Sequence, residues 1–81
     1  MTRVKVLSSK DLAYRINERD HNPPHVHVEG MGGSVRINLL TLEFMDSETG
    51  FSASTLRKVL AVVRENKNLL LDEWEKTHGK D

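Results

Sequence analysis

Three of the four histidines of this chain lie within seven residues of one another, in the segment DHNPPHVHVE at positions 20–29. His25 and His27 are two positions apart, so both imidazoles lie on the same face if the segment forms a β-strand. An imidazole can bind a divalent metal, and near neutral pH it can also donate or accept a proton during catalysis. Any chemistry of this protein is therefore predicted to take place at residues 20–29, which we call the histidine segment.

One interpretation of the histidine segment is a metal site. Two imidazoles on one strand face suit zinc or another divalent ion, and the chain has no cysteine to serve as a ligand. The remaining ligand would be a neighbour of the pair: His21, Asp20 or Glu29. Because the His-x-His spacing has low specificity, we expect no cofactor, although a divalent ion at His25 and His27 is compatible with the spacing.

A second interpretation is metal-independent cleavage of RNA. One imidazole, of His25 or His27, would act as general acid or base while the RNA 2′-hydroxyl attacks phosphorus. A guanidinium would stabilise the negative charge that develops on the phosphoryl oxygens. The arginines predicted to lie near the histidines are Arg15, Arg19 and Arg36. This interpretation predicts a ribonuclease-like enzyme with His25 and His27 as the candidate catalytic residues.

A third interpretation involves no catalysis. Asp and Asn before proline are good turn formers, so Asp20, His21 and Asn22 can serve to shape the turn at the double proline. The neighbouring surface would then bind a nucleic acid or a protein. The residue types alone leave the second and third interpretations open.

Alternating apolar and polar residues predict the strands that position the histidine segment. Pro23 and Pro24 end one strand, because proline has no backbone donor. Residues 30–33, Gly-Met-Gly-Gly, are typical of a tight hairpin turn. The predicted strands cover residues 4–7, 12–19, 25–29, 34–39 and 42–44.

Two helices are predicted after the strands. Ser52 is the predicted N-cap of the first, whose apolar residues recur at helical spacing: Leu56, Val59, Leu60 and Val63. Residues 66–68 form a predicted break, and Asn68 caps a second helix with Asp72 and Glu73 near its positive N-terminal end. The apolar side of the second helix consists of Leu70, Leu71 and Trp74.

The alternation also assigns residues to the two faces of the sheet. Seven residues are predicted to face the helices: Tyr14, Ile16, Val26, Val28, Val35, Ile37 and Leu39. Eight are predicted to face away: Arg15, Asn17, Arg19, His25, His27, Glu29, Arg36 and Asn38. This outward set is locally basic and rich in donors for phosphate or carboxylate, so with Asp20 and His21 it forms the predicted binding surface.

Length and composition limit the class of protein. Residues 1–81 are expected to form a single α+β domain, in which a small antiparallel sheet of three to five strands has two C-terminal helices packed on one face. The 12 basic and 12 acidic residues give no net charge to attract nucleic acid. No apolar run approaches the ~20 residues that span a bilayer, and the first residues lack a signal-peptide pattern, so we expect a cytoplasmic protein without membrane contact.

The nine residues DHNPPHVHV at 20–28 resemble the D-H-N-P-P-H-x-H motif of a bacterial domain-of-unknown-function family, some of whose members are named DhiT-type toxins. The similarity extends over most of the chain, and residues 68–74 look like the family's leucine-rich end with its tryptophan. The resemblance implies a toxin-like component of a two-gene toxin-antitoxin module, with a cognate small antitoxin-like partner. It identifies His21, His25 and His27 as motif positions and assigns no catalytic role to any of them.

The sequence thus predicts a small toxin-like protein that acts on RNA through His25, His27 and the arginines of the outward sheet face. The alternative is a non-catalytic regulatory module that binds nucleic acid or protein. Trp74 is expected to belong to the core because of its helical spacing from Leu70 and Leu71. His78 is expected to be solvated or to supply a positive charge at the C-terminal end of the second helix.

Overall fold

Four antiparallel strands lie side by side in chain order, and two helices follow them. The structure is a computed structural model that describes residues 2–3, 11–17 and 22–78. The elements are β1 (Thr2–Arg3), β2 (Ala13–Ile16), β3 (His25–Gly30), β4 (Gly33–Asn38), α1 (Ala53–Glu65) and α2 (Lys67–His78). This arrangement confirms the predicted α+β class, with an antiparallel sheet and two C-terminal helices.

One face of the sheet packs against the helices, as the alternation predicts. All seven apolar residues assigned to this face are at most 3% exposed. The helices contribute Val59, Val63, Leu70 and Trp74 to the same core. Burial of this apolar surface is the main favourable contribution to folding. Burial also raises the pKa of Tyr14, so its phenol stays neutral in the core.

The hairpin between β3 and β4 has glycine where the backbone requires it. Gly30 has a φ of +143° and Gly32 has a φ of +78°. Residues with a Cβ atom rarely adopt these backbone conformations. A Cβ at Gly30 would also collide with the carbonyl oxygen of Asp11. The hairpin sets the register of the two strands, in which His27 is directly opposite Arg36.

Residues 43–49 run along the outer edge of β4 without forming a strand. They make one isolated bridge, between Phe44 and Ile37, so the predicted strand at 42–44 is wrong. The backbone hydrogen bonds at this edge join Asn38 N to Glu43 O (2.9 Å), Met45 N to Arg36 O (2.8 Å) and Ser34 N to Thr49 O (2.8 Å). The ladder is irregular because the Asp46 carboxylate, and not a backbone carbonyl, accepts the amide of Arg36. Residues 43–49 still provide hydrogen-bond partners for backbone groups at the edge of β4.

The helices begin and end at polar residues. Ser52 is the N-cap of α1, as predicted, and its Oγ accepts a hydrogen bond from Thr55 N (3.1 Å). A single residue, Asn66, separates the helices, so the predicted break at 66–68 with Asn68 as N-cap is wrong. Asn66 donates from its side chain to Val62 O (2.8 Å), and its own carbonyl accepts the amide of Leu70 (2.9 Å). One asparagine therefore closes α1 and opens α2.

Three further predictions differ from the structure or lie outside it. Because α2 begins at Lys67, Asp72 and Glu73 lie beyond its first turn, and both pair with Lys76, at 3.1 and 4.0 Å. β2 ends at Ile16, short of the predicted residue 19. The predicted strand at 4–7 lies outside the described residues.

No helix in the described ranges is long and apolar enough to cross a membrane.

Candidate functional site

Three cationic or titratable side chains form a line across the outward face of the sheet. The register places Arg15 of β2 opposite His27 of β3, and His27 opposite Arg36 of β4. Directly opposed residues of antiparallel strands have Cβ atoms about 4.5–5.5 Å apart. We call Arg15, His27 and Arg36 the Arg-His-Arg row. In the same register, Arg3 of β1 is opposite Arg15.

The two arginines of the row are each held by a carboxylate. Arg15 forms an ion pair with Glu29, which lies two residues after His27 on the same strand face. Arg36 donates to Asp46 from Nη2 (2.7 Å) and from Nε (3.2 Å), and its backbone amide donates to the same carboxylate (2.8 Å). A guanidinium bound along one edge in this way has a restricted orientation.

Asp46 is the residue of this site that sequence analysis missed. The hydrogen bond from the Arg36 side chain is the main cause that lowers the pKa of Asp46, and the charges of Arg36 and His27 act in the same direction. The carboxylate therefore stays ionised and keeps its hold on Arg36. The only signal in the sequence was the turn-prone stretch around Asp46, which gave no indication of a partner on β4.

The outward face is less basic than the sequence analysis predicts. Each described arginine of the row is matched by a carboxylate, and a third acid, Glu48, lies close by. The prediction of a locally basic surface is therefore wrong for the described residues. The reason is that the 43–49 segment folds back along β4 and brings two acidic side chains to a face that the strand alternation could not assign to them.

His27 lines a concavity of about 350 Å³ on this face. The polar side chains around it belong to His27, Glu29, Ser34, Arg36, Asp46 and Glu48. A second concavity of about 540 Å³ contains Arg15 and the β3-β4 turn, and it shares Glu29 and Ser34 with the first. Because His27 is only half-buried, a ligand in the first concavity can reach its imidazole.

His25 is not on an open surface, contrary to the sequence prediction. Its side chain is buried, with 4% of the residue exposed. The Nδ1 atom lies 2.8 Å from Pro23 O, and since a carbonyl can only accept, this nitrogen carries the proton. The His25 ring lies 5.1 Å from the His27 ring and 5.3 Å from Trp74, measured between centroids. Alternation gave the correct face, but it could not show that a helix side chain covers the start of β3.

His78 lies in the last turn of α2, the position predicted for a charge at the end of the helix, but it is only partly solvated. It is half-buried and stacks on Trp74, with the ring centroids 3.7 Å apart and the planes 19° from parallel. Its Nδ1 lies 3.0 Å from Trp74 O. Trp74 is buried in the core, as predicted. The four rings of His27, His25, Trp74 and His78 thus form a continuous series from the outward face to the end of α2. The i,i+4 spacing of Trp74 and His78 in the sequence was a signal that their rings are neighbours on the helix. No pattern in the sequence indicated the contact between Trp74 and His25.

The remaining predicted site residues have different outcomes. Asn38 holds the loop after β4, because its Oδ1 accepts from Leu40 N (2.8 Å) and Thr41 N (3.1 Å). Asn17 lies just after β2, outside the Arg-His-Arg row. Three predicted residues lie outside the described part of the chain: Arg19, Asp20 and His21. Within residues 11–17 and 22–78, no three His, Asp or Glu side chains come together in a way that would hold a metal ion.

Comparison with known proteins assigns the chain to a family. The model of a domain of unknown function, DUF4160, matches residues 14–75. The chain belongs to the DUF4160 family. The predicted relation to a domain family of unknown function is thereby confirmed. In this DUF4160 domain the matched residues include the whole Arg-His-Arg row, Asp46 and Trp74. No curated protein and no solved structure matches the chain.

Proposed function

We propose that this DUF4160 protein is the toxin-like component of a bacterial toxin-antitoxin module and cleaves RNA at the Arg-His-Arg row. The observation that carries the proposal is the position of a half-buried imidazole between two guanidinium groups on directly opposed strand positions. Phosphodiester cleavage without a metal needs groups that transfer protons and groups that stabilise the charge on the phosphoryl oxygens, and the row contains both kinds.

The reaction proposed for the row is transphosphorylation of RNA. The 2′-oxygen loses its proton and bonds to phosphorus, while the bond from phosphorus to the 5′-oxygen breaks and that oxygen gains a proton. His27 is placed to hold one of these protons, and Arg36 and Arg15 offset the charge on the phosphoryl oxygens. The products are a 2′,3′-cyclic phosphate and a free 5′-hydroxyl.

A second group must handle the other proton. Three carboxylates line the concavity next to His27, and two of them, Glu29 and Asp46, are engaged by arginines. Glu48 is exposed, and no ion pair involves it in the described part of the chain. Glu48 lines the same concavity as His27 and therefore fits the role of the second acid or base.

The pairing of the arginines favours catalysis over simple nucleic-acid binding. A non-catalytic binder gains most of its affinity from cations that replace the counterions of phosphate. In the described part of the face, Glu29 and Asp46 pair with Arg15 and Arg36 and so reduce the net attraction for phosphate. The same carboxylates fix the orientation of the guanidinium groups before substrate binds, which lowers the reorganisation needed in the transition state.

The proposed module also includes a partner protein. An antitoxin-like protein would prevent cleavage by covering the concavity at His27 and the adjoining one at Arg15. The alternative function, a non-catalytic regulatory module, predicts that the same surface binds RNA or a protein without turnover.

Replacement of Arg36 separates these functions. We expect Arg36→Ala to lower the rate of RNA cleavage by about 10²-fold or more, since it removes one charge-stabilising group. Arg36→Lys should recover little of the rate, because an ammonium cannot reproduce the contact with Asp46 along the guanidinium edge. Initial rates are measured with a labelled oligoribonucleotide in the presence of a chelator.

Arg57→Ala is the matched control, because Arg57 is an exposed arginine on α1. It should cleave at the wild-type rate. Loss of rate in Arg57→Ala to the same degree as in Arg36→Ala would contradict a specific role for the row. Binding of RNA without any cleavage by the wild type would support the regulatory alternative.

A further inference from the structure

His25 is the buried polar side chain in the part of the chain that the structure describes. It opens β3, two residues before His27, and the two rings are in contact on the same face. With 4% of the residue exposed, its imidazole is not available to a ligand in the concavity. A buried polar ring is costly unless its polar atoms are bonded, so its presence here calls for a physical reason.

The His25 ring is fixed from two directions. Its Nδ1–H donates to Pro23 O at 2.8 Å, which sets the rotation of the imidazole about its bond to Cβ. Trp74, itself held in the core, packs against the His25 ring with the two ring centroids 5.3 Å apart. The next carbonyl, of Pro24, accepts the amide of Leu39 at 2.8 Å and so anchors the two prolines to the end of β4. The His25 ring is therefore a rigid wall beside His27.

We infer that His25 is a positioning residue, which holds the imidazole of His27 in the orientation that its chemistry requires. This inference rests on the proposed function for its catalytic consequence, although the orientation of His27 can be measured without any substrate. The ring of His25 blocks rotamers of His27 that would turn toward the start of β3, and α2 supports it through Trp74. The histidine segment then contains one residue that contacts substrate, His27, and one that orients His27, which is His25.

The inference also gives a physical reason for the spacing Pro-Pro-His-x-His. The first proline supplies the carbonyl that orients His25, and the second supplies the carbonyl that fixes the turn to β4. The intervening residue, Val26, is fully buried and holds the strand to the core. A ring at the position of His25 without a donor at Nδ1 would lose the hydrogen bond to Pro23 O and, with it, this fixed orientation.

The test compares the His27 imidazole in three variants by NMR of the ring carbon and nitrogen signals across pH. We expect His25→Ala to shift and broaden the His27 signals, because the wall is gone. His25→Phe keeps an aromatic ring, slightly larger than imidazole, beside Trp74, so it should fold and should shift the His27 signals less than His25→Ala does. His78→Ala is the control, since it removes the other imidazole that contacts Trp74 and should leave the His27 signals in place.

Activity supplies the second measurement. With RNA as substrate, His25→Ala should lower kcat by about tenfold or more and His25→Phe should lower it by a smaller factor, both with little change in KM, as expected for a misoriented group. Unchanged His27 signals in both His25 variants would overturn the inference, and so would an equal shift in His78→Ala. If the wild type does not cleave RNA but the His27 signals move as described, the proposed function fails and the positioning role stands.

Discussion

Replacement of His27 by alanine is expected to lower the rate of RNA cleavage by about 10²- to 10⁴-fold, the usual contribution of a positioned acid or base. The expectation follows from the place of His27 between Arg15 and Arg36, at a half-buried position that lines the concavity. His27→Asn should be equally impaired, because an amide cannot transfer the proton at neutral pH. Initial rates of purified variants are compared with the wild type under saturating substrate.

The fold should survive this change, since His27 lies outside the apolar core. Matching far-UV circular dichroism and thermal unfolding curves would show that the loss of rate is chemical. In bacterial cells, expression of the wild type should arrest growth and expression of His27→Ala should not. Wild-type rates in both His27 variants would contradict the assignment of proton transfer to this residue.

Replacement of Leu39 by alanine should destabilise the protein by about 2–5 kcal/mol, the cost of removing a fully buried leucine side chain. Leu39 is 0% exposed and closes the core at the end of β4, where its amide also binds Pro24 O. For an 81-residue domain such a loss is a large part of the expected free energy of unfolding. Urea unfolding followed by Trp74 fluorescence measures it, since Trp74 is the single tryptophan.

The neighbouring residue provides a matched control for Leu39. Leu40 is 55% exposed, so Leu40→Ala makes the same chemical change one position away with little effect on the core. We expect Leu40→Ala to change the free energy of unfolding by no more than about 0.5 kcal/mol. Equal destabilisation by the two changes would show that the end of β4 is not packed as described.

The sheet and its two faces could be predicted because each depends on local pattern. The alternation around Val26 and Val28 assigns their side chains to the core without knowledge of the helices. The glycines of the β3-β4 turn fix the hairpin register, and this register places Arg36 opposite His27. The N-cap at Ser52 is likewise a local signal, since its hydroxyl serves an amide three residues later.

The features that the sequence did not reveal depend on contacts between distant segments. Asp46 reaches Arg36 only because residues 43–49 fold back on β4, and no local pattern specifies that path. The burial of His25 depends on Trp74, which is 49 positions later in the chain. Asn66 could close one helix and open the next because its side chain and its carbonyl serve different helices, which helix propensity does not encode.

These contacts change the interpretation of the histidine segment. From the sequence, His25 and His27 are equivalent candidates on an open basic face. In the structure, His27 meets the concavity, His25 is buried beside it, and carboxylates hold the neighbouring arginines. The proposed mechanism therefore rests on one proton-transfer histidine with preorganised arginines, and not on a pair of exposed histidines.

The most direct test of the proposed function is cleavage of a short oligoribonucleotide compared with the 2′-deoxy oligonucleotide of the same sequence, both in the presence of a chelator. The 2′-hydroxyl is the proposed nucleophile, so the wild type should cut the RNA, leave 2′,3′-cyclic phosphate ends, and leave the deoxy strand intact. Equal cleavage of both strands, or cleavage of neither, would contradict the proposal.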